Sequence, residues 1–371
     1  MRFKQLFGIL IILAASFSTA QTVITAKSVN GVLNANQFSG SDIGAQLNTV
    51  FSQYSGGTVM VPDGTYNFST TISPALASNA GYTIDCGSTH TILNYTGQGD
   101  AVYLAHTSGL QSSISIRNCT IVGSHAGGSA NGIHIRAASG ISLYNCVVAG
   151  FGGDGILQEG GVDTLIENVS SISNGINLLN TPDVSDEIST NAMKWIGGSL
   201  QYGTVTNYWE KPAPSGTSGF LRDAGNTVQA TFEISGVIPQ VIIEACDSCT
   251  IENSYMEYVG STGSTPFPAM VIGNATNSGY GSETAQYPKH LRLANNLTYF
   301  PSNSIGYEIF NAKNVTLDDI DEQGGPQYVI TFANSPTIGI SGVNIIAGLP
   351  GWTIGPYQNP QSSYFGSFKP W

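Results

Sequence analysis

The segment Ser115-Ile116-Arg117-Asn118-Cys119 recurs one unit later along the chain as Ser142-Leu143-Tyr144-Asn145-Cys146. In both copies apolar residues alternate with polar ones, and Asn and Cys follow, which is typical of a short half-buried strand that ends at a corner. Asparagine suits such a corner because it tolerates the left-handed backbone, and stacked side-chain amides can bond along the ladder. Further copies are Tyr82–Cys86, Leu165–Val169, Thr250–Ser254, Leu291–Asn295 and Val315–Asp319.

A second strand pattern recurs between these copies. Its members are Ala101–Leu104, Gly132–Ile135, Gly155–Gln158, Gly175–Leu178 and Val241–Glu244. Short strands that recur without helices long enough for crossovers predict a coil of parallel strands. We therefore predict an all-β fold, a single-stranded right-handed parallel β-helix of about ten coils, with the handedness given by the crossover rule. A short capping helix, Asp42–Tyr54, is predicted at the N-terminal end.

The first twenty residues predict a secretory signal peptide. Arg2 and Lys4 precede the apolar stretch Leu6–Ala15, and the small residues Ser18–Ala20 follow. The apolar part is shorter than a membrane-spanning helix needs, so an uncleaved anchor is the weaker alternative. We expect residues 21–371 to form one domain that is secreted, extracellular or periplasmic, with no membrane association in the mature form.

Charge and cysteine content limit the partners. The 371 residues carry 12 Lys and Arg against 24 Asp and Glu, a net charge of -12, which disfavours nucleic acid because its phosphates are repelled.

Cys86, Cys119 and Cys146 occupy the same position in successive coils, so they should stack about 5 Å apart. A buried thiol ladder is the leading interpretation, with a disulfide or a metal as alternatives. The oligomeric state is not indicated.

The chain resembles the pectate lyase superfamily of right-handed parallel β-helix proteins. The resemblance rests on the short helix followed by Gly-Gly-Thr-Val-Met-Val-Pro-Asp-Gly-Thr-Tyr at 56–66, and on coils such as Asn131–His134 and Phe151–Ile156. It covers nearly the whole mature chain and implies a polysaccharide as the partner. Of the polygalacturonase-type motifs only Asp154 is carried over, from Gly153-Asp154-Gly155, and the arginine base and calcium aspartates of pectate lyases are not visible. The specific family is not identified.

Strand alternation selects the candidate site. In Gly132–Arg136 the isoleucines point inward, so His134 and Arg136 point outward. The same alternation predicts two outward rows on one sheet, which the resemblance implies is the floor of a substrate groove. With His134 we place Tyr103, Leu157, Asn177, Leu221, Ile242 and Glu308. With Arg136 we place Glu159, Leu179, Asp223 and Glu244.

Carboxylates in these rows favour hydrolysis of a glycosidic bond. The candidates are Glu159, Asp223 and Glu244 from the rows, and Asp154, which the resemblance adds. On neighbouring coils Asp223 and Glu244 would lie about 5 Å apart, as in retaining enzymes, whereas Glu159 and Asp223 would be roughly 10 Å apart, nearer the inverting range. Solvated or paired surface carboxylates are the alternative for each of them.

Two other functions stay open. His134 and Arg136 could act in β-elimination, as the base for the C5 proton and as the group that neutralises a uronate. Calcium is expected only for such a lyase, and no other cofactor or metal is predicted. A non-catalytic glycan-binding or adhesive protein is the third reading.

Substrate contacts are predicted along the groove edge. Tyr208, Trp209 and Lys211 belong to an apparent insertion, Thr204–Ser218, and aromatic faces at such an edge suit sugar stacking. Tyr103 and Asn177 complete the predicted contacts. The acidic net charge favours a neutral or weakly acidic glycan.

Overall fold

The protein is described from a computed structural model over residues 28–29, 32–74, 81–105, 113–124, 128–213, 223–259, 267–273 and 288–310. Shorter described pieces are 312, 314–318, 321–322, 326, 328–332, 343–346 and 365–366. The predicted signal peptide, residues 1–20, and the outward position predicted for Leu221 lie outside these ranges. Within them no helix is long and apolar enough to cross a bilayer.

The predicted capping helix is present as α1, Ile43–Gln53, preceded by a short 3-10 helix at Ala35–Gln37. Asp42 caps α1, since its Oδ1 accepts a 2.9 Å hydrogen bond from the Ala45 amide. Its Oδ2 accepts bonds from the Ser69 and Thr70 amides, which fixes the helix to the first coils. Burial raises the pKa of the Asp42 carboxyl, but these hydrogen bonds outweigh burial and the net pKa is lowered. The apolar face of α1 is buried against the coil.

The remaining described elements are strands, numbered in chain order. They are β1 (Ser28–Val29), β2 (Val32–Asn34), β3 (Gly56–Met60), β4 (Thr65–Phe68), β5 (Gly81–Asp85), β6 (Ile92–Tyr95), β7 (Val102–Ala105), β8 (Ser113–Arg117), β9 (Thr120–Gly123), β10 (Ile133–Arg136), β11 (Ile141–Tyr144), β12 (Val147–Ala149), β13 (Asp154–Glu159), β14 (Leu165–Ile172), β15 (Ile176–Thr181), β16 (Lys194–Gln201), β17 (Thr206–Glu210), β18 (Thr227–Ile234), β19 (Val241–Ile243), β20 (Thr250–Glu252), β21 (Tyr255–Tyr258), β22 (Phe267–Ile272), β23 (Arg292–Ala294), β24 (Leu297–Tyr299), β25 (Ser304–Ile309), β26 (Thr316–Asp318), β27 (Asp321–Glu322), β28 (Tyr328–Phe332), β29 (Val343–Ile346) and β30 (Phe365–Gly366).

These strands form a parallel β-helix, as predicted. Nine of the described strands form one all-parallel sheet in the order β7, β10, β13, β15, β17, β19, β22, β25 and β28, which we call the nine-stranded sheet. The other described strands form a 21-stranded sheet on the remaining sides, parallel except where β1 meets β2. The long strands β14, β16 and β18 continue through the corner between its two runs.

Asparagine turns the corners of the 21-stranded sheet. Asn118, Asn145 and Asn168 have φ between 50° and 58°, in the left-handed region. Their side-chain amides stack, because Asn145 Nδ2 donates to Asn118 Oδ1 at 2.9 Å and Asn168 Nδ2 donates to Asn145 Oδ1 at 3.1 Å. The predicted corner ladder is therefore confirmed.

The cysteine stack differs in part from the prediction. Cys86, Cys119 and Cys146 are all buried in one stack, and the Cα atoms of the first two are 5.1 Å apart. Cys86 and Cys119 form a disulfide, and Cys146 is the one free cysteine. A thiol ladder is wrong for this pair because the coil spacing lies inside the Cα separation that a disulfide requires. Cys246 and Cys249 form a second disulfide at a corner.

Candidate functional site

The outward face of the nine-stranded sheet carries two rows of side chains in register. The first row contains Tyr103, His134, Leu157, Leu179, Trp209, Ile242, Val271 and Glu308. The second row contains Arg136, Glu159 and Thr181. Lys211 and Glu244 continue it, each one residue past the end of its strand. The face therefore joins charged groups at one end to an aromatic group farther along.

His134 lies between two carboxylates. Its Nδ1 is 2.9 Å from Asp100 Oδ2, its Nε2 is 3.1 Å from Glu159 Oε2, and the Tyr103 ring packs edge-on at 5.1 Å between centroids. Burial lowers the pKa of the imidazole, but bonding to Asp100 and Glu159 outweighs it and raises the pKa to about 9. At neutral pH the ring is therefore a cation that donates from both nitrogens.

Arg136 is held by a turn between β15 and β16. Its Nε lies 2.9 Å from Oδ2 of the buried Asp183 and 3.6 Å from Glu159 Oε2. One terminal nitrogen bonds to Ser185 Oγ and lies 3.7 Å from Asp186. Burial raises the pKa of Asp183, but hydrogen bonds from Arg136 and Ser185 give a net lowering. The guanidinium charge is thus matched by carboxylates of the protein.

A corner stack brings a further carboxyl to this face. Asn131 Nδ2 donates to Asp100 Oδ1 at 2.8 Å, and the Asp154 amide donates to Asn131 Oδ1 at 2.7 Å. Asp100, Asn131 and Asp154 thus lie on three successive coils. Burial raises the pKa of Asp154 to about 6, with the Asp100 charge adding to it and Lys211 and His134 opposing it. Asp154 is a carboxyl that can be protonated near neutral pH.

Trp209 forms the aromatic part of the face. Its indole Nε1 donates to Glu244 Oε2 at 3.0 Å, and Lys211 Nζ lies 5.4 Å from the centroid of its ring. Burial raises the pKa of Glu244, while the indole bond and Lys211 oppose the shift. The charge of Lys211 thus opposes the rise in the pKa of both Asp154 and Glu244.

Part of the predicted insertion, Thr204–Ser218, is strand β17, and residues 214–218 lie outside the described residues. Residues Thr206–Glu210 pair in parallel with β15 and β19 and so complete a coil. Trp209 and Lys211 lie on the outward side, whereas Tyr208 is buried, so its prediction as a substrate contact is wrong. Tyr208 points inward because it is in register with Leu178 and Val241. The sequence pattern does not predict this strand, because aromatic residues stand where the other coils have the Gly-Ile pattern.

The prediction that Asp223 faces outward on this sheet is also wrong. Strand β17 occupies the position in the sheet that was predicted for a strand containing Asp223. Asp223 follows β17 in the chain and is fully buried. Its Oδ1 accepts a 3.1 Å bond from the Thr190 amide in the interior. The predicted pairs with Glu159 and Glu244 are therefore not formed on the outward face.

Asn177 does not face the groove either. It is fully buried and donates at 2.7 Å to both Gln201 O and Asn207 Oδ1. It belongs to an internal amide cluster at the start of β15, and Leu179 takes the outward position beside Leu157 and Trp209. The predicted row is thus correct at Tyr103, Leu157, Ile242 and Glu308 but displaced by two residues here.

The fold brings together Tyr103, His134, Arg136, Asp154 and Glu159, with Trp209, Lys211 and Glu244 farther along the same face. Sequence reasoning missed Asp100 as a site residue because an acidic residue before a strand is ordinary in turns. Its position, equivalent to Asp154 two coils later, was the available signal. Asp183 carried no such signal. In the part of the chain that the structure describes, no three His, Cys, Asp or Glu side chains are arranged to hold a metal ion.

Comparison with known proteins finds solved structures of similar fold. No protein-family model and no curated protein matches the chain. Among solved structures, the surface adhesin PfbA of Streptococcus pneumoniae is similar, with 14% identity, coverage of 85% of this chain and 86% of that one, and a TM-score of 0.57. ORF18 of Geobacillus virus E2 has 12% identity over 91% of this chain and 64% of its own, with a TM-score of 0.56.

A third similar structure is DFA-IIIase from Arthrobacter chlorophenolicus A6, solved as a mutant in complex with DFA-III. It has 10% identity, covers 88% of this chain and 97% of that one, and has a TM-score of 0.51. These similarities agree with the parallel β-helix fold described above. Identities this low establish the fold alone.

Proposed function

We propose that this protein is a secreted hydrolase that cleaves a glycan on the outward face of the nine-stranded sheet, with Asp154 as the general acid. One observation carries the proposal. Burial raises the pKa of the Asp154 carboxyl to about 6, and the backbone amide of Asp154 belongs to the corner stack in which Asn131 bonds to the Asp100 carboxylate beside the His134 cation. A carboxyl with a pKa this high is protonated in mildly acidic solution and can there donate to the leaving oxygen of a glycosidic bond.

Asp100 is the proposed general base. It lies two coils from Asp154, and coil spacing makes this separation roughly 10 Å, close to that of inverting glycosidases. The separation leaves room for a water molecule between the base and the sugar. His134 and Asn131 each donate to Asp100, so the carboxylate is oriented. Glu159 holds the far side of the imidazole and acts as a positioning residue.

The protonation of His134 supports hydrolysis over elimination. Abstraction of a C5 proton needs a neutral base, but His134 has a pKa of about 9 and both its nitrogens face carboxylates. Arg136 would have to leave Asp183 in order to neutralise a uronate. Elimination, and the calcium that we expect only with it, is therefore the weaker alternative.

Substrate would lie along the two outward rows. The half-buried Trp209 offers an aromatic surface, and Tyr103 lies at the other end beside His134. A sugar stacked on Trp209 would extend towards Lys211 and Asp154. We infer a neutral or weakly acidic glycan, because carboxylates outnumber cations on this face.

The test uses the mature protein, residues 21–371, on plant, algal and bacterial polysaccharides, with and without calcium. Reducing ends and the absorbance of unsaturated products are recorded together. We expect reducing ends without unsaturated product, and Asp154→Asn should lower the rate about 10² to 10⁴-fold. Glu167→Gln, an exposed carboxylate of β14 on the other sheet, is the matched control.

Other outcomes separate the alternatives. Unsaturated products would establish elimination and contradict Asp154 as general acid. No product across the panel, with binding detected by calorimetry, would establish a glycan-binding protein instead. Asp100→Asn tests the base, and NMR of the first-formed anomer tests inversion.

A further inference from the structure

A row of polar side chains crosses the interior beneath the proposed site. Gln158, Asn180 and Glu210 are in register on β13, β15 and β17, and all three are fully buried. Gln158 Nε2 donates to Asn180 Oδ1 at 3.1 Å, and Asn180 Nδ2 donates to Glu210 Oε1 at 2.9 Å. The same inward position is apolar on the flanking coils, at Ile135 and Ile243. The interior is therefore polar at the level of β13, β15 and β17, between apolar coils on either side.

Two carboxyl groups meet inside this interior. Glu210 Oε1 also accepts bonds from Asn226 Nδ2, at 3.1 Å, and from the Tyr208 hydroxyl. Asp223 is fully buried, and its Oδ1 accepts from the Thr190 amide. Glu210 lies close enough to Asp223 that its charge adds to burial in raising the pKa of Asp223. Their other oxygens, Glu210 Oε2 and Asp223 Oδ2, receive no donor from the protein.

Two ionised carboxylates are unfavourable at such close range. An ionised carboxylate only accepts hydrogen bonds, and two neighbouring ones that are fully buried repel strongly. A buried charge also needs a partner, yet no Lys, Arg or His of the described chain bonds to either group. One proton between the two unpartnered oxygens satisfies both and leaves a single negative charge.

We propose that Glu210 and Asp223 share one proton in the folded protein, and that this buried proton makes the stability of β17 depend on pH. The remaining charge is bound by donors from Asn180, Asn226, Tyr208 and Thr190. The inference does not depend on the proposed function. It concerns the site only because Glu210 lies between Trp209 and Lys211 in the chain.

The other titratable groups nearby do not account for the shared proton, which is therefore assigned to Glu210 and Asp223. Burial raises the pKa of Tyr208, so its phenol stays neutral and donates to Glu210. Asp183 is bound to Arg136, and Asp247, one coil beyond Asp223, is bound to His290 at the surface. Burial raises the pKa of both Glu210 and Asp223, in the direction that proton sharing requires.

The pH dependence has a definite sign. An acid whose folded pKa is raised binds its proton more tightly in the folded state than in the unfolded state. Stability is therefore full below the ordinary carboxyl pKa, about 4, and is lost as the pH rises towards the pKa of the folded pair. Within that window one extra bound proton changes the unfolding constant about tenfold per pH unit.

The test compares the mature protein with Glu210→Gln, Asp223→Asn and the exposed control Glu167→Gln. Denaturant unfolding from acid to alkaline pH should show the one-proton slope in the wild type and in Glu167→Gln. The amide variants should lose it, because an amide N–H replaces the shared proton. Difference infrared spectroscopy at pH 8, where Asp154 with its pKa of about 6 is ionised, should show the carbonyl stretch of a protonated carboxylic acid in the wild type but not in Glu210→Gln.

Three results would overturn the proposal. One is a wild type without the infrared signal at pH 8. Another is a pH slope as steep in Glu210→Gln as in the control. The third is stabilisation of the wild type by calcium or sodium that is lost in Glu210→Gln, since the pair would then hold a cation. If the amide variants do not fold, the infrared signal of the wild type decides alone.

Discussion

The Nδ1 atom of His134 lies 2.9 Å from Oδ2 of Asp100, although the two residues belong to neighbouring coils and are 34 positions apart. With Glu159 on the other ring nitrogen, this contact fixes both the orientation and the protonation of the imidazole. It therefore determines which chemistry the face can support.

The first prediction concerns the stability that His134 provides. Its folded pKa, about 9, exceeds the ordinary 6.5, so its contribution is full below 6.5 and is lost as the pH rises through about 9. His134→Gln should destabilise the fold by about 2 kcal/mol at pH 6. Denaturant unfolding measures this, and NMR titration of the ring measures the pKa. The exposed His290→Gln is the control, and an equal loss there would contradict the prediction.

The second prediction concerns the pH profile of catalysis. A general acid must be protonated, so kcat/KM should decline as the pH rises through about 6, the pKa of Asp154. Lys211→Met removes a charge that opposes this pKa shift and should move the limb to higher pH. Initial rates from pH 4 to 9 measure this decline of kcat/KM with pH. The control variant Glu167→Gln should show the same decline as the wild type. An unmoved limb in Lys211→Met would assign it to another group.

The third prediction concerns substrate stacking on Trp209. Trp209→Ala should raise KM about fivefold with little change in kcat, because stacking contributes roughly 1 kcal/mol to binding. Steady-state kinetics on the cleaved glycan provide the measurement. Tyr299→Ala removes an exposed aromatic ring from the other sheet and should have no effect. A fall in kcat alone would indicate that Trp209 acts on the reaction instead.

The fourth prediction concerns the cysteines. All five lie in the described residues, in two disulfides and one free thiol, so thiol titration of the denatured, unreduced protein should find one group. Replacing Cys86 and Cys119 together by Ala should destabilise the fold by about 3–4 kcal/mol, since their disulfide closes a loop of 33 residues. Thermal unfolding against Cys146→Ala checks it. Five titratable thiols would contradict the prediction and would support the buried thiol ladder expected from the sequence.

The candidate site was predictable where the coil repeat was regular. In β10 and β13 the apolar alternation is clear, and His134, Arg136 and Glu159 lie where it places them. The prediction failed at β17, where Tyr208 and Glu210 point inward and the apolar pattern disappears. Once that strand was missed, Asp223 was assigned to the outward face although it is buried.

The β-helix, its cap at Asp42 and its Asn118 and Asn145 corners follow from local sequence patterns, because strand alternation and corner preferences depend on residues close along the chain. Which side chains meet follows from the tertiary fold alone. Arg136 bonds to Asp183 from 47 residues away, and Asn180 donates to the buried Glu210 from 30 residues away. Contact partners and pKa values depend on the stacking of whole coils and on exclusion of water, and neither is written in any local pattern.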